Sequence, residues 1–281
     1  MYDPEYTSTF YDAYGDLEWA RLESKPYGRL QAIIHNDFIQ RHVQPNDKVL
    51  DAGSGPGRFS ISLINIGAKV TLLDISKNQL NLARSKLSEA GLIGKVESFV
   101  EGDIVNLGTF PDASFDKVIC FGGALSYVCE RRYDAASELI RVTPRGGLIL
   151  VSVMSLLGAA VSVITMPSIE MLEHPNKVFS DIPPLFPILE TGDLPEFPST
   201  SGMKHAPMHL YTSYELQQLF EQCTVVETAG SNVTMNEYER NAELISNSPV
   251  AWDTLIEFEK RINHDPGLLN SGSHIIMVVR K

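Results

Sequence analysis

The chain is poor in the residues that build covalent or metal-held folds. It has three cysteines in 281 residues, Cys120, Cys129 and Cys223, and their spacings match no zinc or redox motif. An odd count without a Cys-x-x-Cys pair points to buried thiols in a reducing compartment, and so to the cytoplasm. Positive charge is also scarce: 23 Lys and Arg stand against 35 Asp and Glu, for a formal net charge of -12. Such a surface repels phosphate backbones, which argues against nucleic acid as a partner. The close-set basic residues, Arg131 with Arg132 and Arg141 with Arg145, fall on an expected helix face and a turn rather than along a groove. The opening Met-Tyr-Asp-Pro-Glu lacks the basic-then-apolar pattern of a secretory signal. Internal repeats and low-complexity tracts are absent. One long uncharged run, residues 148–166, has the length of a membrane span. It follows a Pro-Arg-Gly-Gly turn and carries Ser152, Ser155, Gly158 and Ser162, so it reads as a buried strand running into a helix, and no membrane partner is expected.

What is present suits a globular protein. Hydrophobic residues make up 43% of the chain, enough for a sizeable core, and the length fits one α/β core with an added cap. Residues 1–45 are rich in aromatics, among them Tyr2, Tyr11, Tyr14 and Trp19, and the pattern predicts helices over 7–23 and 27–42. From residue 48 strand and helix patterns alternate: strands at 48–52, 69–75, 96–101, 115–121 and 148–153, with helices at 58–66, 76–90 and 131–142 between them. This alternation implies parallel strands joined by right-handed crossovers. Eight prolines between residues 167 and 208 then exclude a regular helix or central strand there, and the segment reads as a binding insertion. Thr212 and Glu215 suggest a capping box opening a helix over 212–222. Strands at 224–228 and 273–279 and helices at 235–246 and 250–263 complete the chain. The expected division is a helical N-terminal cover at 1–45, a core at 46–154, an insertion at 155–210, and completion of the sheet at 211–281.

The chemistry concentrates at strand ends. Val49-Leu50-Asp51-Ala52-Gly53-Ser54-Gly55-Pro56-Gly57 is a buried strand ending in an acid, then a Gly-x-Gly-x-Gly loop entering a helix. Without Cβ atoms the loop backbone approaches a ligand closely, and the helix start presents free N–H groups. A nicotinamide or flavin fingerprint places its third glycine one residue later. A second strand ends in Asp74-Ile75, where a carboxylate accepts both hydroxyls of a ribose. Further along come Gly102-Asp103-Ile104, the strand exit Cys120-Phe121-Gly122-Gly123, and the turn Arg141-Val-Thr-Pro-Arg-Gly-Gly.

In this order and spacing the motifs resemble those of class I methyltransferases that use S-adenosylmethionine (SAM), over about residues 46–155. The resemblance implies a Rossmann-like, doubly wound α/β fold with a seven-stranded, mostly parallel sheet, a helical N-terminal lid and a cap inserted after strand 5. It implies SAM as cofactor and S-adenosylhomocysteine as product. Asp51, Gly53, Ser54, Gly55 and Gly57 would hold the methionyl part and ribose, Asp74 the ribose, Ile75, Asp103 and Ile104 the adenine. Phe121 and Gly122 would run beside the sulfonium, with Tyr14 and Arg21 folding over it from the N-terminal segment. The aromatics of that segment also fit an amphipathic helix that uses them as core.

Methyl transfer needs alignment and a dry site, and a base only where the acceptor loses a proton. His209 and His205, after the insertion, are the first candidates for that base; Tyr127 is a candidate acceptor contact, and His35 and His174 come behind. Cys120 reads as a buried strand thiol. No metal is expected, because Phe121-Gly-Gly-Ala stands where metal-dependent relatives carry acids. The leading expectation is a methyltransferase acting on an oxygen or nitrogen of a small acceptor. Methylation of tRNA or protein, a SAM-binding protein without activity, and a dinucleotide oxidoreductase are the alternatives. The sequence leaves the acceptor and the oligomeric state open.

Overall fold

The computed structural model describes residues 1–165, 185–198, 204–235 and 241–281. Strands β1 (Lys48–Ala52), β2 (Lys69–Asp74), β3 (Val96–Glu101), β4 (Lys117–Cys120) and β5 (Leu148–Met154) run parallel. Of β6 (Thr224–Ser231) and β7 (His274–Arg280), β7 pairs antiparallel with both β5 and β6. The order across the seven-stranded sheet is β6-β7-β5-β4-β1-β2-β3. Strands two and three build outward from β1 on one side, and the chain then returns to add β4 on the other. The reversal leaves a crevice at the carboxyl ends of β1 and β4, the usual ligand site of an open α/β sheet.

Side chains along each strand alternate between two cores. Val49, Ile119, Leu150 and Ile276 join one cluster, with Leu30, Ile34, Leu63 and Leu87 of the helices α3 (Pro26–His42), α4 (Arg58–Ile66) and α5 (Lys77–Glu89). Leu50, Val118, Val151 and Ile275 join the other, with Leu125, Leu139 and Leu216. These last side chains come from α6 (Ala124–Tyr127), α7 (Arg132–Val142) and a later helix at Ser213–Leu219. Helices thus cover both faces, which is why the inner strands are near-continuous apolar runs. The uncharged run at 148–166 is β5 followed by α8 (Leu156–Thr165), and among the described residues no helix is long and apolar enough to cross a membrane.

Three local expectations are corrected. The helix expected at 7–23 is two: α1 (Pro4–Tyr14), capped by Asp3 accepting the Tyr6 N–H, and α2 (Asp16–Arg21). Gly15 between them has φ +51°, a conformation that ends α1 and turns the chain. The proline-rich stretch does contain a helix, α9 (Leu185–Thr191). Pro187 lies in its first turn, where the missing N–H has no intrahelical partner to lose. Around it, Asp193–Leu194 pairs with Met208–His209 and Phe197–Pro198 with Lys204–His205. The capping box at α10 (Ser213–Leu219) is half made: Thr212 Oγ1 accepts the Glu215 N–H, while the Glu215 carboxylate bonds His209 instead. Toward the end of the chain, α11 (Ala242–Ser246) covers only the last part of the helix expected at 235–246, whose residues 236–240 lie outside the described ones, and α12 (Pro249–Ile262) follows.

A third, smaller core joins the N-terminal helices to the insertion. Phe10, Tyr127, Leu156, Ile188 and Met208 are buried together there. Tyr6 donates its hydroxyl to the Lys204 carbonyl at 2.9 Å, tying α1 to the insertion.

Candidate active site

After β1 the chain folds back on its neighbour. The N–H groups of Gly53 and Ser54 both donate to the Leu73 carbonyl of β2, at 2.8 and 2.9 Å. The Asp74 carboxylate is then held from two sides: Gly55 N–H donates to Oδ2 at 2.7 Å and Ser76 N–H to Oδ1 at 2.8 Å. Gly55 has φ +51°, and a Cβ there would meet only the Glu18 Cγ, at 3.9 Å. Its open side faces a cavity between the strand tips and the N-terminal helices.

That cavity brings together most of the residues expected at the site. Gly53, Ser54, Gly55, Asp74 and Ile75 form one wall, and Asp103 and Ile104 extend it. Phe121, Gly122 and Tyr127 lie at the exit of β4, and Arg21 reaches in from α2. The cover itself comes from the N-terminal segment, through Tyr2, Thr7, Tyr11 and Glu18. It is fastened to the strand tips by side chains. Ser8 donates to the Ile75 carbonyl at 3.1 Å, and Tyr2 donates its hydroxyl to Asp103 Oδ2 at 2.7 Å. Asp12 accepts from Ser76 Oγ and the Asn78 N–H at the start of α5, a favourable place for a carboxylate. Arg58 of α4 stacks over Trp19 at 3.8 Å and donates to its carbonyl at 3.0 Å.

Six expected residues stand elsewhere. Asp51 is off the cavity wall: it is buried beneath the loop and accepts a 2.5 Å hydrogen bond from Ser60 of α4. Gly57 faces Ala83 and Leu72 rather than the cavity. Tyr14 stacks on Phe10 at 5.5 Å, off the wall. His205 also stands back from the wall, with its ring 5.6 Å from that of Tyr127. His209 is 1% exposed, with Nδ1 2.7 Å from Asp193 and Nε2 2.7 Å from Glu215. Both ring nitrogens are engaged by carboxylates and turned away from the cavity; the ring ties the insertion to α10. His35 is buried against Phe59 and Phe121, off the wall, and burial pushes its pKa down to about 4. His174 lies outside the described residues. Cys120 is fully buried, its thiol pushed up to about 12, chiefly by burial.

Carboxylates dominate the electrostatics. Burial is the largest influence on Asp51, raised to about 7, and on Asp74, raised to about 6; the charges of Glu18 and Asp12 push Asp74 the same way. Asp74, Glu18 and Asp103 share the cavity with two cations, Arg21 and Arg58. Three carboxylates against two guanidinium groups leave an acidic surplus, which favours a cationic ligand. At the other end the groups are phenolic. Tyr11 and Tyr127 meet edge to face at 5.4 Å, and burial holds both pKa values up. The Tyr127 hydroxyl lies 3.4 Å from His205 Nε2, and His205 Nδ1–H donates to the Ala206 carbonyl at 3.0 Å. That second bond fixes the tautomer, so Nε2 carries the lone pair, and burial keeps the ring neutral by lowering its pKa.

Tyr2, Thr7, Glu18 and Arg58 are wall residues that the motifs did not signal. Tyr2 belonged to the aromatic run at the start of the chain, while Glu18 carried no sequence signal.

The strand order, the glycine loop and the acid at the tip of β2 make the arrangement similar to that of SAM-dependent class I methyltransferases. Residues 49–147 match the family model described as "Methyltransferase domain". A malonyl-[acyl-carrier protein] O-methyltransferase of Serratia marcescens is 35% identical over 111 residues, 40% of this chain and 40% of that one. A ubiquinone/menaquinone biosynthesis C-methyltransferase of Ectopseudomonas mendocina is 37% identical over 113 residues, 39% of this chain and 42% of that one. The chain thus spans about two fifths of the length of the curated relatives it matches. Among solved structures, a SAM-dependent methyltransferase of Methanosarcina mazei matches with TM-score 0.55 at 19% identity, covering 87% of this chain and 96% of that one. The geranyl diphosphate C-methyltransferase of Streptomyces coelicolor A3(2) matches with TM-score 0.52 at 14% identity, covering 88% and 78%. At those identities the likeness is one of fold.

Proposed function

We propose that the protein transfers a methyl group from SAM to a small acceptor enclosed beneath the N-terminal helices. One observation carries the reading: a single cavity joins the Asp74 carboxylate and the Gly53–Gly55 backbone to the Gly122 and Tyr127 end. The residues present suit SAM. Gly55 leaves open the space a Cβ would fill, Asp74 offers two fixed oxygens to a ribose, and the surplus carboxylates match a cation.

When bound, SAM supplies a methyl carbon made electrophilic by the attached sulfonium. The chain's own part is to orient and to exclude water. Asp74 takes the ribose hydroxyls, Asp103 and Ile104 border the adenine, and Ile75 packs on it. Gly122 leaves room beside the reacting centre, and Phe121 closes the wall. Tyr127 contacts the acceptor and, through its bond to the neutral His205 ring, takes up a proton at its hydroxyl oxygen as its own proton passes to Nε2.

An acceptor that loses a proton is the kind such a pair serves. That favours an oxygen acid or an acidic carbon; nitrogen, expected alongside oxygen from the sequence, needs no such base when neutral. The names of the relatives, one an O- and one a C-methyltransferase, support the same two atoms. The covered cavity supports a small acceptor over a tRNA or protein. Calorimetric titration with S-adenosylhomocysteine tests the reading, with saturable binding at micromolar concentration expected. No binding by the folded protein at millimolar ligand overturns it, and tight binding of NAD instead selects an oxidoreductase.

A further inference from the structure

Glu18 and Arg21 stand three residues apart on α2 and form a two-bond ion pair, with Arg21 Nη2 to Glu18 Oε1 at 2.6 Å and Arg21 Nε to Oε2 at 3.1 Å. Pairs at this spacing on an open helix face contribute only weakly to the stability of the helix. This pair is turned inward: both side chains line the cavity, with only 17% of Glu18 and 29% of Arg21 exposed. Gln31 of α3 steadies the cation, its Oε1 lying 3.3 Å from Arg21 Nη1.

Its position is specific. The Glu18 Cγ lies 3.9 Å from the place of a Cβ on Gly55, and Arg21 Nη2 lies 4.0 Å from that of a Cβ on Gly122. The pair therefore bridges the loop after β1 and the exit of β4, across the crevice at the switch in strand order. The charge of Glu18 is felt on one side at Asp74 and on the other at Tyr11, Tyr127 and His205. It stands between the carboxylate assigned to the ribose and the phenols assigned to the acceptor.

A ligand spanning that interval carries its amino-acid end there. An amino acid presents one anion and one cation on a single carbon, and a Glu–Arg pair is the matching array of opposite sign. We propose that Glu18 and Arg21 together receive the zwitterionic methionyl end of SAM, Arg21 taking the α-carboxylate and Glu18 the α-ammonium. The proposal rests on the SAM reading above and adds to it a residue that discriminates by charge. Its consequence is selectivity for ligands with an intact amino-acid end over those that keep only the thioadenosine.

Two ligands separate the cases. S-adenosylhomocysteine has the amino-acid end, and 5′-methylthioadenosine lacks it. In calorimetry, Glu18→Gln should weaken S-adenosylhomocysteine by about 10- to 100-fold, the range for one charge-assisted hydrogen bond, and leave 5′-methylthioadenosine within about twofold. Equal loss of both ligands, or loss of neither, overturns the assignment. Sinefungin, which carries a cation in place of the sulfonium, checks the alternative position: a loss larger for sinefungin than for S-adenosylhomocysteine places Glu18 against the sulfonium and overturns the ammonium assignment. Should Glu18→Gln not fold, the des-amino analogue of S-adenosylhomocysteine on the unaltered protein gives the same reading, with a loss of at least about tenfold expected and parity refuting it. Absence of any S-adenosylhomocysteine binding by the unaltered protein fails the SAM reading itself, which these ratios do not.

Discussion

The two halves of the cavity wall are held by different means. The strand tips are fixed by backbone: Gly53 and Ser54 bond to Leu73, and two N–H groups clamp Asp74. The cover is fixed by side chains, through Tyr2, Ser8, Asp12 and Tyr6. Bonds made by backbone N–H groups at the buried rim of the sheet open only with that rim, whereas a set of half-exposed side-chain bonds opens at lower cost. Under the proposed function, the rigid half would recognise the nucleoside and the fastened half would admit ligands. The difference also sorts substitutions: a change at the tips should act on affinity outright, a change in the cover on affinity by degrees.

The largest effect belongs to the tips. Asp74→Ala removes the acceptor of both expected ribose bonds and should weaken S-adenosylhomocysteine about 100-fold or more, at about 1.5–3 kcal/mol for each bond to a charged group. Calorimetry on the folded variant checks it. Affinity within about threefold of the unaltered protein removes the ribose from this strand tip and erases the contrast between the halves.

Legibility follows the same division. The tips were readable because a buried strand, an acid and a glycine loop are all local pattern, and the sheet that collects them follows from alternation. Asp51 shows where local pattern stops. Its position at the end of β1 was evident, but Ser60, nine residues on and one turn into α4, holds its carboxylate away from the cavity. His209 fails for a similar reason, since Asp193 and Glu215 converge on it only once the insertion folds against α10. Glu18 was invisible because its place depends on how α2 leaves Gly15 and crosses the loop, a tertiary fact with no signature in spacing.

A smaller effect, on the order of tenfold, tests the charge at the tips. Burial raises Asp51 to about 7 and Asp74 to about 6, so at acid pH both are protonated in the free protein. A cationic ligand favours their ionised forms, so SAM binding should release protons and strengthen by about tenfold as pH rises from about 5 to 7. The sign for the ligand-free protein is opposite. Because folding raises these pKa values above those of an unfolded chain, their contribution to stability is full at low pH and is lost as pH rises through about 6 and then 7. The rise in melting temperature produced by SAM should therefore grow with pH over that interval. A flat or falling profile would separate the two carboxylates from the cofactor.

The smallest effect belongs to the cover, at Tyr2. Its hydroxyl donates to Asp103 Oδ2, while Asp103 Oδ1 already accepts the Val105 N–H at 3.0 Å. The carboxylate proposed to border the adenine is thus taken up by the cover in the ligand-free protein. Adenine must displace the phenol or share the oxygen with it. If it displaces the phenol, Tyr2→Phe removes a competitor, and affinity for S-adenosylhomocysteine should rise about two- to tenfold, the net worth of one ordinary hydrogen bond. If it shares the oxygen, the same substitution should leave affinity unchanged, and if Tyr2 itself contacts the adenine, affinity should fall. The expected sign is an increase, because the hydroxyl is a donor like the adenine amine and the two meet the same oxygen. Paired with Asp74→Ala, this substitution sets a gain of a few-fold in the fastened half against a loss of two orders in the rigid half. Equal and same-signed effects at Tyr2 and Asp74 would mean that the cover and the tips act as one body.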